Sequence, residues 1–242
     1  PRRPVFAPSL VEVPAAADEV DGVTCFLTQE WPFVARARSS SRVVTPQLGL
    51  AGLGDYHEAC RAVAGALGLP LAEVAFALRR ALAAQRRFVE ERQRMGRDAR
   101  AARFDRAVVV IGRPYNLHDG FCNLNLGRHL ERVGLPAFPV DVLPLPPDPG
   151  VAPRDLVPWR FARQALAATA RVARDPRLFP IVVSSFGCGV DGFVLKHVEE
   201  ALGGRPHLVL EFDEHRGEAG LITRLEAFAD EIEEHVRGAP RG

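Results

Sequence analysis

From Phe104 onward, short apolar runs of β type alternate with stretches of helical period, and that alternation leaves the chain few folds to choose from. Strands buried on both faces and separated by helices are the pattern of a doubly wound parallel sheet. Ala107–Ile111 reads as a buried strand ending at Gly112-Arg113-Pro114, and Asn125–Val133 as a helix closed by Gly134. Ala137–Val140 is the second strand. The proline-rich connection Leu143–Pro158 cannot hold regular structure, and it leads to an alanine-rich helix, Trp159–Arg174, stopped by Asp175-Pro176. Ile181–Ser185 is the third strand, Phe193–Leu202 a helix, His207–Glu211 the fourth strand and Gly220–Val236 the last helix.

Ahead of this half, the pattern is looser. Residues 1–20 are rich in proline and alanine without a clean period, which predicts an extended entry segment. Val23–Thr28 is short and apolar and reads as a strand, with a helix near Phe33–Arg38 after Trp31-Pro32. Apolar positions then fall at helical spacing from Asp55 to Ala66 and again from Leu71 toward Arg94, a helical hairpin joined at Gly68-Leu69-Pro70. The expected organisation is an N-terminal segment, 1–104, with a cysteine loop and the hairpin, followed by the sheet domain, 105–242. No internal repeat is visible.

The bulk properties exclude several classes. With 242 residues, 47% hydrophobic and 25% charged, the chain has the composition of a globular protein, and no apolar run approaches the ~20 residues needed to cross a bilayer. A net charge of +1 gives no field that would gather nucleic acid, and the arginine-rich helix around Arg79–Arg97 is diluted by Glu73, Glu90, Glu91 and Asp98. The four cysteines, Cys25, Cys60, Cys122 and Cys188, are widely spaced and form no C-x-x-C pair, which points to a reducing cytoplasm. The start at Pro1 suggests a processed or excised piece of a longer chain.

Parallel sheets bind ligands at the carboxyl ends of their strands, where the strand-to-helix loops gather. Gly112–Asp119, Asp141, Phe186–Asp191 and Asp213–His215 all map to that edge. In Phe186-Gly187-Cys188-Gly189-Val190-Asp191-Gly192 a glycine loop presents a cysteine between a strand and a helix. Its glycines satisfy G-x-G-x-x-G, with Glu211 and Asp213 ending the next strand, as a dinucleotide fingerprint asks. Two further roles suit Cys188. It could be a nucleophile with His215 as its base, or a metal ligand alongside Cys25 and Cys122, which also fall at loop positions. Cys60, His57, His129, His197 and His235 lie within helices and read as structural; His118 and His215 stand apart by position.

The words Gly112-Arg113-Pro114-Tyr115-Asn116, Phe186-Gly187-Cys188-Gly189, Asp213-Glu214-His215 and Thr223-Arg224-Leu225-Glu226-Ala227-Phe228 resemble the acyl-CoA dehydratase activase-related family, allied to the 2-hydroxyacyl-CoA dehydratase and benzoyl-CoA reductase subunits. Thr24-Cys25 with Gln29 and Pro32 is similar to that family's cysteine segment. The resemblance implies a Rossmann-like or flavodoxin-like subdomain that helps hold a 4Fe-4S cluster, with Cys188 as the first ligand and Cys25 as the second; Cys122 stands where the family has no expected cysteine and is a third candidate by its loop position alone. The resemblance also implies low-potential electron transfer or catalysis on an acyl-CoA-like substrate, an ATP-dependent activase module or subunit as partner, and pairing into a dimer. On this view Gly187, Gly189, Arg113 and Asn116 line the cofactor, while Asp213 and His215 orient ligands or relay a proton. Val190 and Gly192 stand where the family has proline and serine, and Phe26 stands where it has proline. A cluster-free scaffold that docks a partner, and nucleotide binding at Gly187–Gly192, are the alternatives.

Overall fold

The computed structural model describes residues 4–13, 22–101, 104–145, 156–213 and 217–238. The chain divides into two compact units, one of residues 1–91 with 157–163, the other of residues 92–156 with 164–242.

In the first unit the entry segment is a strand. β1 (Val5–Phe6) and β2 (Ser9–Leu10) run parallel to β3 (Val43–Val44) and β4 (Gln47–Leu48) in one continuous register. The amides of Val5, Ala7, Ser9 and Val11 donate to the carbonyls of Arg42, Val44, Pro46 and Leu48, each at 2.9 Å. The donors are alternate residues, so Pro8, which has no N–H, falls on the face of the strand that needs none. A parallel pair requires a crossover, and α1 (Phe26–Arg38) supplies it. The helix therefore starts seven residues before the expected Phe33, and Val23–Thr28 is no strand: Val23 makes isolated bridges to Glu12 and Trp159. Proline normally opens a helix, which is why Pro32 suggested a later start; here it sits inside α1 and costs one backbone bond. The hairpin of α2 (Leu53–Leu67) and α3 (Leu71–Ala101) is present, with α3 running a further two turns past Arg94.

The second unit is built on four parallel strands: β5 (Ala107–Ile111), β6 (Ala137–Pro139), β7 (Leu178–Ser185) and β8 (Leu208–Phe212) in the order β6-β5-β7-β8. The helices between them are α4 (Pro114–His118), α5 (Leu126–Arg132), α6 (Arg160–Ala173) and α7 (Gly189–Leu202), and α8 (Glu218–Gly238) closes the chain. Val108 and Val110 of β5 and Phe179, Ile181 and Val183 of β7 form one core with Leu126 and Leu130 of α5 and Leu225, Phe228 and Ile232 of α8. The alternate residues Val109, Ile111, Leu178 and Val182 are buried too, so both faces of the sheet are covered, as the continuous apolar strands require. Pro180 lies within β7 at a level where only β5 pairs, because β8 begins opposite Ile181; the strand thus starts at Leu178, three residues before the expected Ile181. The second strand stops at Pro139, and Val140–Val142 forms a 3₁₀ turn. The largest shift within this unit is at α7, which begins at Gly189 rather than Phe193, absorbing two glycines into its first turn.

The turn from α6 into β7 is held by charge. Asp175 accepts three hydrogen bonds at 3.1 Å from Arg177, through the backbone N–H, Nε and Nη2. Arg205 donates to the carbonyls of Val172, Ala173, Asp175 and Leu178, closing the end of α6. The side-chain bond from Arg177 outweighs burial and holds Asp175 below its ordinary value of 3.8. A depressed carboxylate stabilises the fold above its unfolded pKa and loses that contribution as pH falls through the folded pKa. Denaturant titrations should therefore show Asp175→Asn less stable than wild type by a constant margin at neutral pH, shrinking only below about pH 4. A margin that is unchanged at pH 3 contradicts the assignment.

Candidate functional site

In the order β6-β5-β7-β8 the chain leaves β5 toward one edge, then returns across it to build β7 and β8 on the other side. The two loops at the carboxyl ends of β5 and β7 flank this switch point, the place where open parallel sheets bind their ligands. Both carry the polar groups that matter. After β5, Gly112-Arg113 leads into α4, with Arg113 as N-cap and Pro114 at the first helical position. After β7, Ser185-Phe186-Gly187-Cys188 makes a tight turn in which the Cys188 amide donates to Ser185 O at 3.0 Å. Gly187 has φ +73°, a left-handed conformation that a residue with a Cβ adopts only with strain. Cys188 then becomes the N-cap of α7, where the helix dipole favours negative charge.

Arg113 joins the two loops. It is only 8% exposed, so its charge must be paired. Its Nη1 donates to Asp191 Oδ2 at 2.6 Å, and its Nη2 donates to Cys188 Sγ at 3.1 Å. Ser184 Oγ donates to the same Asp191 oxygen at 3.1 Å, and Tyr115 OH lies 3.4 Å from Ser185 Oγ. Burial works to lower the Arg113 pKa, but the hydrogen bond and charge of Asp191 win, with Tyr115 and Cys188 pulling the same way, so the pKa is raised. The guanidinium stays charged at any working pH. Chemically, the arrangement is a thiol held at a helix N-terminus under a permanent N–H donor, an environment suited to an anionic or metal-bound sulfur.

Of the other expected site residues, Gly187 and Gly189 flank this thiol. Asn116 is buried in α4, and its backbone carbonyl accepts from Asn123 Nδ2 at 3.0 Å, so its visible contact supports the α4–α5 loop. Cys122 is exposed on that loop, its amide donating to Asp119 Oδ1 at 3.1 Å. Cys25, in the first unit, is half-buried and is the N-cap of α1, the same local position that Cys188 takes on α7. Cys60 is buried within α2, as packing predicts. Asp213 is exposed just past β8, while His215 lies outside the described residues.

The nucleophile reading depends on His215, which lies outside the described residues; the described donor to Cys188 Sγ is an arginine, which cannot serve as a base. The dinucleotide reading meets a packing mismatch. Its third glycine should let helix and strand approach closely, yet a Cβ on Gly192 would meet open space. Among the described residues no three His, Cys, Asp or Glu side chains converge as a metal site. A four-thiolate cluster thus needs ligands beyond those gathered here. Ser184 escaped the sequence reading, and Asp191, placed at the ligand edge, was not matched to Arg113. A carboxylate three residues after the cysteine, in the same first helical turn, was the available signal.

Residues 3–143 match the family described as the CoA enzyme activase uncharacterised domain (DUF2229). That stretch takes in Cys25, Arg113, Asn116 and Cys122 and ends before Cys188. No curated protein and no solved structure matches the chain.

Removing the clamp tests the site's internal logic. Arg113→Met strands Asp191 without its cation and should cost about 2–3 kcal/mol in urea denaturation. A loss under about 0.5 kcal/mol, the level of an ordinary surface substitution, would show that the pair is not formed in solution.

Proposed function

The chain belongs to the CoA enzyme activase uncharacterised domain family, and from that premise we propose that it is an iron–sulfur component of a CoA-dependent enzyme, with Cys188 and Cys25 as thiolate ligands. The observation that carries this reading is the Arg113 Nη2–Cys188 Sγ contact of 3.1 Å at the switch point of the sheet. A structural cysteine needs no buried guanidinium; a cluster-bound thiolate benefits from one, because an N–H donor offsets the charge on sulfur. Asp191 balances the arginine, so the pair can stay largely out of water beside the sulfur. A cluster held this way supplies one-electron transfer at a potential tuned by the hydrogen bonds to its sulfurs.

Cys25 enters on its position at the N-terminus of α1, and Cys122 on its exposure. An ATP-dependent activase module or subunit is the proposed partner, and the proposed substrate class is an acyl-CoA-like thioester. The doubly wound strand order β6-β5-β7-β8 supports a flavodoxin-like reading of the second unit. Cytoplasmic placement and pairing into a dimer belong to the same proposal. A cluster-free scaffold is the second reading, favoured by the lack of a three-ligand group among the described residues.

Iron and acid-labile sulfide per chain, measured after anaerobic reconstitution, separate the two. The iron–sulfur reading predicts metal and sulfide in the wild type and their loss in Cys188→Ser and in Cys25→Ser, with Cys122→Ala showing whether a third thiolate is drawn in. Metal-free, colourless wild-type protein leaves the scaffold.

A further inference from the structure

A second polar cluster lies beyond the carboxyl ends of β5 and β6, and the cysteine site makes no use of it. His118, the last residue of α4, places Nε2 2.9 Å from Oδ2 of Asp141 in the 3₁₀ turn that follows β6. The same oxygen accepts from Arg92 Nη1 at 3.3 Å. The exposures differ sharply: the imidazole is 51% exposed, whereas the carboxylate is 7% exposed. Asp141 Oδ1, also buried, has no hydrogen-bond partner among the described residues. A carboxylate sunk in this way and facing a half-exposed imidazole is the arrangement that orients a proton-transferring histidine.

The turn that carries Asp141 is fixed. Val140 and Val142 are buried on either side of it. On α3, Gly96 lies so close beneath that a Cβ there would stand 1.6 Å from Val142 O, which explains a glycine inside a long helix. Arg92 and Gly96 are one helical turn apart, so α3 meets this turn by a charge and by a close backbone approach together. Asp141 therefore has little freedom, and neither has the ring it holds. With Nε2–H donating to Asp141, the neutral ring keeps Nδ1 as its free acceptor, and among the described residues Nδ1 has no partner.

We propose that His118 is an acid–base catalytic residue of this domain, with Asp141 as its positioning residue, and that its substrate is a carbon acid of the acyl-thioester type. The substrate class rests on the CoA-enzyme reading above. The step is a proton transfer: the C–H bond next to the thioester carbonyl breaks, its electron pair enters the enolate, and the proton goes to Nδ1, giving an imidazolium stabilised by Asp141. Reversal returns a proton to carbon after exchange with solvent. α4 spans five residues from the Arg113 cap, which puts His118 about 7–8 Å along the helix axis from that cap.

The test is loss of label from [2-²H]butyryl-CoA into water, catalysed by the full chain, with thioester binding measured in parallel by equilibrium dialysis and iron by analysis of the same preparation. Wild type should release deuterium. His118→Ala should slow release by at least about 100-fold while leaving near-UV circular dichroism intact, and added imidazole should restore part of the rate. Asp141→Asn should lower the maximal rate about tenfold at an unchanged half-saturating thioester concentration. Binding without exchange, or exchange that survives His118→Ala, overturns the assignment and leaves the CoA-enzyme reading standing. No thioester binding overturns both, and the iron content reports on the cluster independently.

Discussion

A guanidinium almost withdrawn from water has to be paired, and the partners Arg113 takes decide how the second unit is put together at its working edge. Arg113 follows β5, whereas Asp191 and Cys188 follow β7, so one side chain spans the point where the sheet changes direction. Without that bridge the two loops would lose their charged link and keep the longer Tyr115–Ser185 contact at 3.4 Å. The bridge holds the sulfur and ties the two loops together. It also accounts for the first turn of α7, where Asp191 must face back toward β5 and the helix has to begin early enough to place it.

Cys25 and Cys188 occupy equivalent local positions, each within its own unit. Cys25 caps α1 and Cys188 caps α7, each with an extended ψ and neither spending its side chain on a cap hydrogen bond. Serine or aspartate would stabilise those helix starts by about 1 kcal/mol, so cysteine at both is a choice against stability. Ligation of a metal is a physical reason for such a choice, because a thiolate at a helix N-terminus is favoured by the dipole. The second unit adds a charged donor above its cysteine; in the first unit Gln29 Nε2 donates instead to the Thr24 carbonyl beside Cys25, at 3.0 Å.

Much of the sheet could be read from residue order, because β5, β7 and β8 are apolar runs bounded by glycine, proline or charge, and their helices show a clear period. Helix starts were harder. Pro32 suggested a helix beginning after it, and Gly189 and Gly192 suggested a loop, yet α1 and α7 run through those residues because tertiary packing outweighs propensity at a few positions. The strand of residues 5–11 could not be foreseen, since its partner lies 38 residues further on and its two-residue ladders carry almost no pattern of their own. The same limit hid the site's pairings. Arg113 was visible as a candidate, but its link to Asp191 crosses 78 positions and that of Arg92 to Asp141 crosses 49, distances over which spacing says nothing about contact.

The reduction potential of the reconstituted protein, compared between wild type and Arg113→Lys, tests most directly whether Cys188 is a cluster ligand under an arginine. Lysine keeps a charge for Asp191 but lacks the fork that reaches the sulfur as well. The account predicts a reducible iron–sulfur signal in both proteins and a more negative potential in the variant, because the reduced and more anionic cluster loses an N–H donor. A wild type with no reducible centre, or an identical potential in the two proteins, would contradict it.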